Sequence, residues 1–258
     1  FTSTQQARTE DAFTYIASLV DLQFNKVSDP AAKNTFTFAS NIQTNSGGYA
    51  SRPSSSFDGS DIYLNDKSYN TTLADGTSGA HILIHEIGHA LGLKHPFDHE
   101  QAGQGGIADA PYLTGTEDST TWTVMSYTDY PAQYYIQYSP LDIAALQYLY
   151  GPSKTARAGN DIYKISPTEP NFVWDGAGLD VIDAGLVNQA STIYLAPGYQ
   201  GFLGTTKAEK ITTAGQITVN FGSVIENLIG SNYDDSLYGN DVGNKIEGGT
   251  GSDYIEGW

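Results

Sequence analysis

The stretch HILIHEIGHALGLKHP, residues 81–96, contains four of the five histidines of the chain. It overlaps a segment, residues 79–91, that the sequence predicts to be an α-helix. In a helix, residues four positions apart lie about 40° apart around the axis, so His85 and His89 point the same way and can bind one metal ion. Glu86 is offset by about 100° from His85. It therefore lies beside the metal, where it suits a general base that acts on a water molecule.

A third metal ligand is predicted just after the end of this helix. Gly92 can adopt the left-handed backbone conformation that ends a helix and turns the chain. His95, three residues later, can then return to the same ion. Three imidazoles leave open the coordination position that a catalytic zinc ion needs. The full pattern, H-E-x-x-H-x-x-G-x-x-H, thus predicts one catalytic zinc ion bound by His85, His89 and His95.

The remaining two histidines are not needed for this zinc site. His81 lies four residues before His85, but three imidazoles already complete the ligand set, so we predict a structural role for His81. The position of His99, in the stretch PFDHE, gives no geometric reason to include it.

The composition predicts a folded, acidic protein without thiol chemistry. With 258 residues, of which 39% are hydrophobic, the chain can form one large domain or two small ones. It has no cysteine, so it forms neither disulfides nor thiolate metal sites. A net charge of −17 argues against nucleic acids and anionic membranes as partners and favours cations. No run approaches the roughly 20 apolar residues that span a bilayer, and the N-terminus FTSTQQARTE has no signal-peptide pattern, as if already processed.

Up to about Gly151 the pattern of apolar residues is typical of mixed α and β structure. A helix is predicted over residues 9–20, with Thr9 as its N-cap. A second is predicted in SPLDIAALQYLYG, capped by Ser139, with Pro140 at the first helical position and Gly151 at the end. Alternating apolar and polar residues predict strands of one sheet at residues 22–27, 35–40 and 61–66.

After Gly151 the chain is rich in Gly, Asn and Asp and contains a repeat of nine residues. The repeat units are residues 230–238, 239–247 and 248–256. They match the nonapeptide pattern G-G-x-G-x-D-x-U-x of a parallel β-roll, in which glycine turns bind calcium and short strands bury an aliphatic residue. A degenerate unit, DGAGLDVID, occupies residues 175–183. The alternative, a flexible glycine-rich linker, would need no such register.

The register of the repeats predicts which residues bind calcium. Successive turns alternate sides, so the turn of the first unit stacks on that of the third, and Asp235 and Asp253 share one ion. Asn244 faces the other side. Together with turn carbonyls, we expect these calcium ligands: Gly230, Asn232, Asp235, Gly248, Thr250 and Asp253. The acidic turns would repel one another without calcium, so folding of this region is expected to depend on calcium.

The stretch HEIGHALGLKHP, followed by TVMSY, resembles the metzincin zinc peptidases, and among them the serralysin group of secreted bacterial proteases. SPLDIAALQYLYG, SVIENLIG and the nonapeptides agree in kind and order, so the resemblance covers nearly the whole chain. It implies an α+β catalytic domain, residues 1–151, with a twisted mixed sheet and a zinc-binding helix. An all-β parallel β-roll domain that binds structural calcium, one ion or more, would follow at residues 152–258.

The resemblance also assigns roles to residues that spacing alone does not single out. It places Met125 in the Met-turn beneath the metal and makes Tyr127 a further zinc ligand that moves away when substrate binds. An extended substrate would pair with the sheet edge SGGYASRP, around Tyr49 and Ala50. Without the resemblance, Met125 is an ordinary core residue, and Tyr127 is one of 18 tyrosines.

These features predict a secreted zinc-dependent endopeptidase of broad specificity. Glu86 would take a proton from the zinc-activated water and pass it to the leaving amine, while Tyr127 would help to stabilise the oxyanion. The expected partners are protein or peptide substrates, with a proteinaceous inhibitor left open, and we expect a monomer. The resemblance implies an extracellular location, through type I secretion.

Two other classes of function compete with a peptidase. The first is a non-catalytic calcium-binding surface or adhesion module, which the repeats alone would support. The presence of Glu86 disfavours it, because such a module needs no base there. The second, a zinc hydrolase of non-peptide substrates, is disfavoured by the Met-turn and by the third histidine. Since typical serralysins carry more nonapeptides and a C-terminal secretion tail, we expect a truncated or processed form.

Overall fold

The structure is a computed structural model that describes residues 1–28, 34–55, 59–97, 110–129 and 134–257. The chain forms two compact units. The N-terminal unit comprises Phe1–Ala17 and Gln23–Leu146, and the C-terminal unit comprises Ser18–Leu22 and Gln147–Trp258. No helix within the described ranges is long and apolar enough to cross a membrane.

The first helix, α1, runs from Ser3 to Ala17 and begins six residues before the predicted N-cap. The N–H of Gln5 donates to Thr2 Oγ1 (3.2 Å), and the N–H of Thr2 donates to Gln5 Oε1 (2.7 Å). This reciprocal pair is a capping box, and it sets the start of the helix. The prediction of Thr9 as N-cap is wrong, because Thr9 lies inside the helix and its hydroxyl donates to the Gln5 carbonyl.

A three-stranded mixed sheet follows α1 in the chain, in the order β1-β3-β2. Its strands are β1 (Phe38–Asn41), β2 (Gly48–Ala50) and β3 (Ile62–Asn65). The central strand β3 is parallel to β1 and antiparallel to β2, so β2 forms one edge. The predicted strands at residues 35–40 and 61–66 are confirmed by β1 and β3.

The predicted strand at residues 22–27 is wrong. That segment is irregular, and the ring of Phe24 packs against Phe13 and Phe36, with centroids 4.7 and 6.0 Å away. The alternation of apolar residues therefore reflects side chains that anchor an irregular segment on α1, rather than pairing of the segment with another strand.

Helix α2, Ser78–Ala90, confirms the helix predicted around the histidine motif. Its apolar side chains Leu83, Ile84 and Ile87 are fully buried. On its side toward the edge strand β2, the helix packs against Gly48 and the preceding Gly47. A Cβ on Gly47 would lie 2.5 Å from Ile82 Cδ1. Glycine at these positions lets β2 lie directly on the helix that presents the histidines.

Helix α3, Pro140–Tyr150, confirms the second predicted helix, and Gly151 follows it with φ of +75°. The Ser139 N–H donates to Asp142 Oδ2 (3.0 Å), whereas the Ser139 hydroxyl donates to the carbonyl of Thr120 (2.6 Å). Two short 3-10 helices, Ser68–Asn70 and Gly115–Glu117, complete the helical elements of the described residues.

Ten short strands form two sheets in the C-terminal unit. The first sheet, with strand order β12-β10-β6-β4, is entirely parallel. The second sheet is mixed, with order β13-β11-β7-β8-β9-β5. The strands are β4 (Ile162–Lys164), β5 (Asn171–Val173), β6 (Val181–Asp183), β7 (Ser191–Tyr194), β8 (Gln200–Leu203), β9 (Gln216–Val219), β10 (Asn227–Ile229), β11 (Ser236–Tyr238), β12 (Lys245–Glu247) and β13 (Tyr254–Glu256).

The last four strands alternate between the two sheets. β10 pairs in parallel with β12, with Asn227 opposite Lys245. β11 pairs in parallel with β13, with Ser236 opposite Tyr254. Each strand therefore pairs with the strand two repeat units away. The aliphatic residue of the first unit, Leu237, is fully buried, whereas Ile255 of the third is 48% exposed.

Candidate active site

The end of helix α2 directs the chain back toward the helix. The Leu93 N–H donates to the Gly88 carbonyl and the Gly92 N–H to the His89 carbonyl, both at 2.9 Å, which together form a Schellman motif. Gly92 has φ of +104°, a left-handed conformation that glycine adopts without strain. The turn therefore returns His95 to the face of α2 that carries the first two histidines.

Three imidazole nitrogens meet at this face. His95 Nε2 lies 3.2 Å from His85 Nε2 and 3.0 Å from His89 Nε2. His85 and His95 are buried, and His89 is partly exposed. The predicted zinc ligands His85, His89 and His95 are thus brought together within the reach of one ion.

The hydrogen bonds of the rings decide what this cluster can hold. His85 Nδ1 lies 2.8 Å from the Val124 carbonyl, and His89 Nδ1 lies 2.9 Å from the Leu93 carbonyl. A carbonyl only accepts, so each Nδ1 carries the proton and each Nε2 presents a lone pair. His95 Nε2 can donate to one of them at most. Converging lone pairs need a cation, and three neutral imidazoles fit zinc. Burial lowers the pKa of His85 well below its usual value, which favours this neutral form.

Glu86 lies beside the three histidines and is itself buried. Among the described residues its Oε2 atom has no hydrogen-bond partner, and burial raises the pKa of the carboxyl to about 8. A Cβ on Gly48 would lie 2.9 Å from Glu86 Cγ, so the edge strand approaches the carboxyl side chain closely. A buried carboxyl of raised pKa next to a candidate metal site has the properties of a general base.

Met125 and Tyr127 both lie close to the histidine motif. Met125 is buried, and a Cβ on Gly88 would lie 2.7 Å from its sulfur, so the methionine packs directly against helix α2. The Tyr127 ring lies 4.7 Å from the His95 ring and 5.9 Å from the His85 ring, measured between centroids. Its side chain is 55% exposed, and burial, followed by the Glu86 charge, raises its pKa.

Asp142, which the sequence did not single out, orders the segment before Met125. Its buried carboxylate accepts from the Thr123 hydroxyl (2.6 Å) and the Val124 N–H (2.7 Å). Val124 in turn provides the carbonyl that orients His85. An acidic residue three positions after Ser139, at the start of a mostly apolar helix, is the signal that could have identified it.

The predicted substrate edge forms β2. The Asn65 N–H donates to the Gly47 carbonyl and the Ser51 N–H to the Asp61 carbonyl, both at 2.8 Å. Along an antiparallel strand, residues whose main-chain N–H and C=O groups bond to the partner strand alternate with residues whose groups point away from it. Gly48 and Ala50 are of the second kind, so their main-chain groups point away from β3. Tyr49 lies on the opposite pleat, 45% exposed and stacked on Tyr63 with centroids 4.8 Å apart.

His81 lies near the histidine cluster but does not belong to it. The His81 ring is 6.0 Å from the His85 ring and 5.5 Å from the Tyr134 ring, and His81 does not belong to the group that can hold a metal. Burial lowers the pKa of His81. His99 lies outside the described residues.

The predicted calcium residues lie together in the C-terminal unit. Asp253 Oδ1 accepts the Asp235 N–H at 3.0 Å, and the Thr250 hydroxyl reaches Asn232 Oδ1 at 3.2 Å. A Cβ on Gly230 would lie 2.5 Å from the Gly248 carbonyl. The two turns therefore stack. The Asp235 carboxylate accepts from the main-chain N–H groups of two further residues, Ser191 and Ser231.

A second acidic cluster, of Asp161, Asp175 and Asp180, was missed in the sequence. One carboxylate oxygen of each lies within 4.8 Å of the other two, and Asp175 and Asp180 are buried. Asp175 Oδ2 and Asp180 Oδ2 have no hydrogen-bond partner in the described part of the chain. The degenerate repeat contains two of these residues, and parallel pairing of β4 with β6 adds Asp161. Buried oxygens without donors suit a hard cation such as calcium.

Comparisons with known proteins agree with this geometry. The matrixin model of peptidase family M10 matches residues 2–102. The serralysin of Proteus mirabilis is 35% identical over 255 residues, which cover 88% of this chain and 47% of the relative. Serralysin B of Dickeya chrysanthemi is 30% identical over 92% of this chain and 53% of its own length. The metalloprotease AprA of Pseudomonas entomophila is 33% identical over 73% of this chain and 43% of its own length. The chain thus spans about half the length of these curated relatives.

Proposed function

Because the chain belongs to the serralysin-type metzincins, we propose that it is a zinc-dependent endopeptidase that hydrolyses peptide bonds in proteins. The observation that supports this most directly is the convergence of three Nε2 atoms beside the buried carboxyl of Glu86. His85, His89 and His95 would hold the zinc ion. Bound there, zinc would supply Lewis acidity, which acidifies a water molecule and polarises a carbonyl.

The residues of the chain then move the proton. Glu86, whose carboxyl is held between α2 and β2, would accept a proton from the attacking water and later deliver it to the leaving amine. Tyr127 would donate its phenolic proton in a hydrogen bond to the oxyanion. Met125 would support the histidine cluster by packing alone.

Substrate would lie along β2 as an additional strand. The outward main-chain groups of Gly48 and Ala50 can pair with an extended peptide and lead it past Glu86. Because this recognition uses the main chain, broad specificity is expected. A profile of cleaved bonds with one strict side-chain requirement would contradict it.

The test is hydrolysis of casein by the purified chain in zinc and calcium, with Glu86→Ala as the variant and Glu209→Ala, an exposed glutamate, as the matched control. We expect Glu86→Ala to abolish cleavage while one zinc ion stays bound, and Glu209→Ala to cleave like the wild type. A folded, zinc-loaded wild type that cleaves nothing would instead favour a non-catalytic calcium-binding surface module.

We propose further that the parallel-paired strands of the C-terminal unit form a β-roll stabilised by calcium. β8 pairs antiparallel with β7 and β9, so it departs from the predicted all-parallel pattern. The stacking of Asp235 and Asp253 between turns two repeats apart supports one site. The unpartnered buried oxygens of Asp175 and Asp180 support a second. The circular dichroism of chelated protein is expected to change when calcium is added, and an unchanged spectrum would refute calcium-dependent folding.

The location and assembly of the protein follow as proposals from the same family. We propose secretion to the extracellular space by a type I system, protein or peptide substrates and a monomeric state. Activity in the culture supernatant of an expressing bacterium would support secretion. Sedimentation as a single species of 27.7 kDa would support the monomer.

A further inference from the structure

The chain that follows helix α2 is held by hydrogen bonds on both sides of His95. The Pro96 carbonyl accepts the Leu113 N–H at 2.7 Å, and the Lys94 ammonium donates to the Pro111 carbonyl at 2.7 Å. These two bonds join the residues on either side of His95 to residues 111–113. Phe97 directly follows the anchored Pro96, and its ring stacks on the ring of His95.

Three rings meet at this point. The rings of His95 and Phe97 are nearly parallel, at 8°, with centroids 5.0 Å apart. The Phe97 ring also lies 4.9 Å from the Tyr127 ring, which itself contacts His95 at 4.7 Å. Parallel-displaced and tilted rings at these separations attract each other. Phe97 thus contacts both a candidate zinc ligand and the tyrosine expected to reach the oxyanion.

We propose that Phe97 is a positioning residue, which holds the imidazole of His95 and the phenol of Tyr127 in place beside the metal. The proposal rests on the function proposed above. Without the stack, zinc binding would have to restrict the motion of the His95 ring, which costs free energy. The half-exposed Tyr127 would lose its packing contact with the Phe97 ring. Each aromatic contact of this kind changes an equilibrium about 2- to 12-fold.

The first test measures zinc affinity by competition with a chelator, which does not depend on peptidase activity. Phe97→Leu keeps apolar bulk and removes the stack, so we expect the zinc dissociation constant to rise about 3- to 12-fold. Phe97→Tyr, which keeps the ring, should bind zinc like the wild type. Phe24→Leu is the matched control, since Phe24 is also partly buried and packed on other rings. A change below 2-fold for Phe97→Leu would overturn the proposal, as would Phe97→Tyr binding as weakly as Phe97→Leu.

The second test separates the effect on Tyr127. At saturating zinc, Phe97→Leu should lower kcat about 3- to 10-fold and leave KM within 2-fold. In a Tyr127→Phe background the hydroxyl is gone, so its position no longer matters and the loss from Phe97→Leu should disappear. A loss that persists undiminished there would overturn the role of Phe97 toward Tyr127. If the wild type binds zinc but cleaves no protein, the proposed function fails, and the zinc measurements still decide the role of Phe97.

Discussion

Substituting Gly48 by alanine tests whether the position of the Glu86 carboxyl controls the rate. The added methyl group would lie 2.9 Å from Glu86 Cγ, 3.0 Å from Ile82 Cγ2 and 3.1 Å from Glu86 Oε1. Carbon atoms pack best at about 3.5–4.0 Å, so the Glu86 side chain would have to move by roughly 0.6–1.1 Å. A displacement of about 1 Å from the reactive geometry can cost about 100-fold in rate. We therefore expect kcat/KM to fall about 10- to 100-fold, or about 1.4–2.7 kcal/mol of transition-state stabilisation.

Casein hydrolysis and zinc content, measured on the same preparation, separate this effect from loss of the metal. Zinc content should stay at one ion, because the nearest atoms to the new methyl group belong to Glu86 and Ile82, not to the histidines. Gly47→Ala is the matched control, since the three atoms nearest to its methyl group all belong to the flexible side chain of Ile82. It should stay within about 3-fold of wild type. The reasoning is refuted if Gly48→Ala retains more than half of the activity, or if Gly47→Ala is equally damaging.

Three further predictions concern stability. Asp142→Ala leaves three donors without their acceptor, two of them buried, and should lower the free energy of unfolding by at least about 3 kcal/mol in urea denaturation. Asp142→Asn still accepts two N–H bonds and should lose about 1 kcal/mol, so equal losses would contradict this. Burial raises the pKa of Asp142 to about 6, so the folded state binds its proton more tightly than the unfolded state. Stability from this group should therefore fall as pH rises from about 4 to 6, and Asp142→Asn should flatten that slope in denaturation at several pH values. Calcium at 100 times its Kd should stabilise the wild type by about 2.7 kcal/mol; Asp180→Asn should reduce the calcium-induced rise in Tm, and exposed Asp241→Asn should not.

The histidine cluster was predictable from the sequence because its geometry is local. One rigid helix carries both His85 and His89, so their spacing in the sequence determines where they lie. Gly92 ends that helix and turns the chain, which brings His95 back within three residues. The nonapeptide register was readable for the same reason, since each unit repeats one short turn and one short strand.

Features that depend on distant parts of the chain were not readable in this way. Asp142 acts on Val124, 18 residues earlier, and Asp161 joins Asp175 only through pairing of strands. Phe97 contacts Tyr127 across a long sequence separation. The start of α1 was misplaced for a different reason: the T-x-x-Q box at Thr2 was overlooked in favour of the acidic residues that follow Thr9.

The fixed tautomers of the helix histidines also determine how protons compete with the metal. An ordinary imidazole is half protonated near pH 6.5, so acid displaces a metal from it. In His85 the Nδ1 proton is already committed to the Val124 carbonyl, and burial makes a second proton on the ring unfavourable. A zinc ion would then displace no proton from the His85 ring. At this ligand, the affinity for zinc should vary little with pH in mildly acidic surroundings, where a solvent-exposed histidine would release its metal.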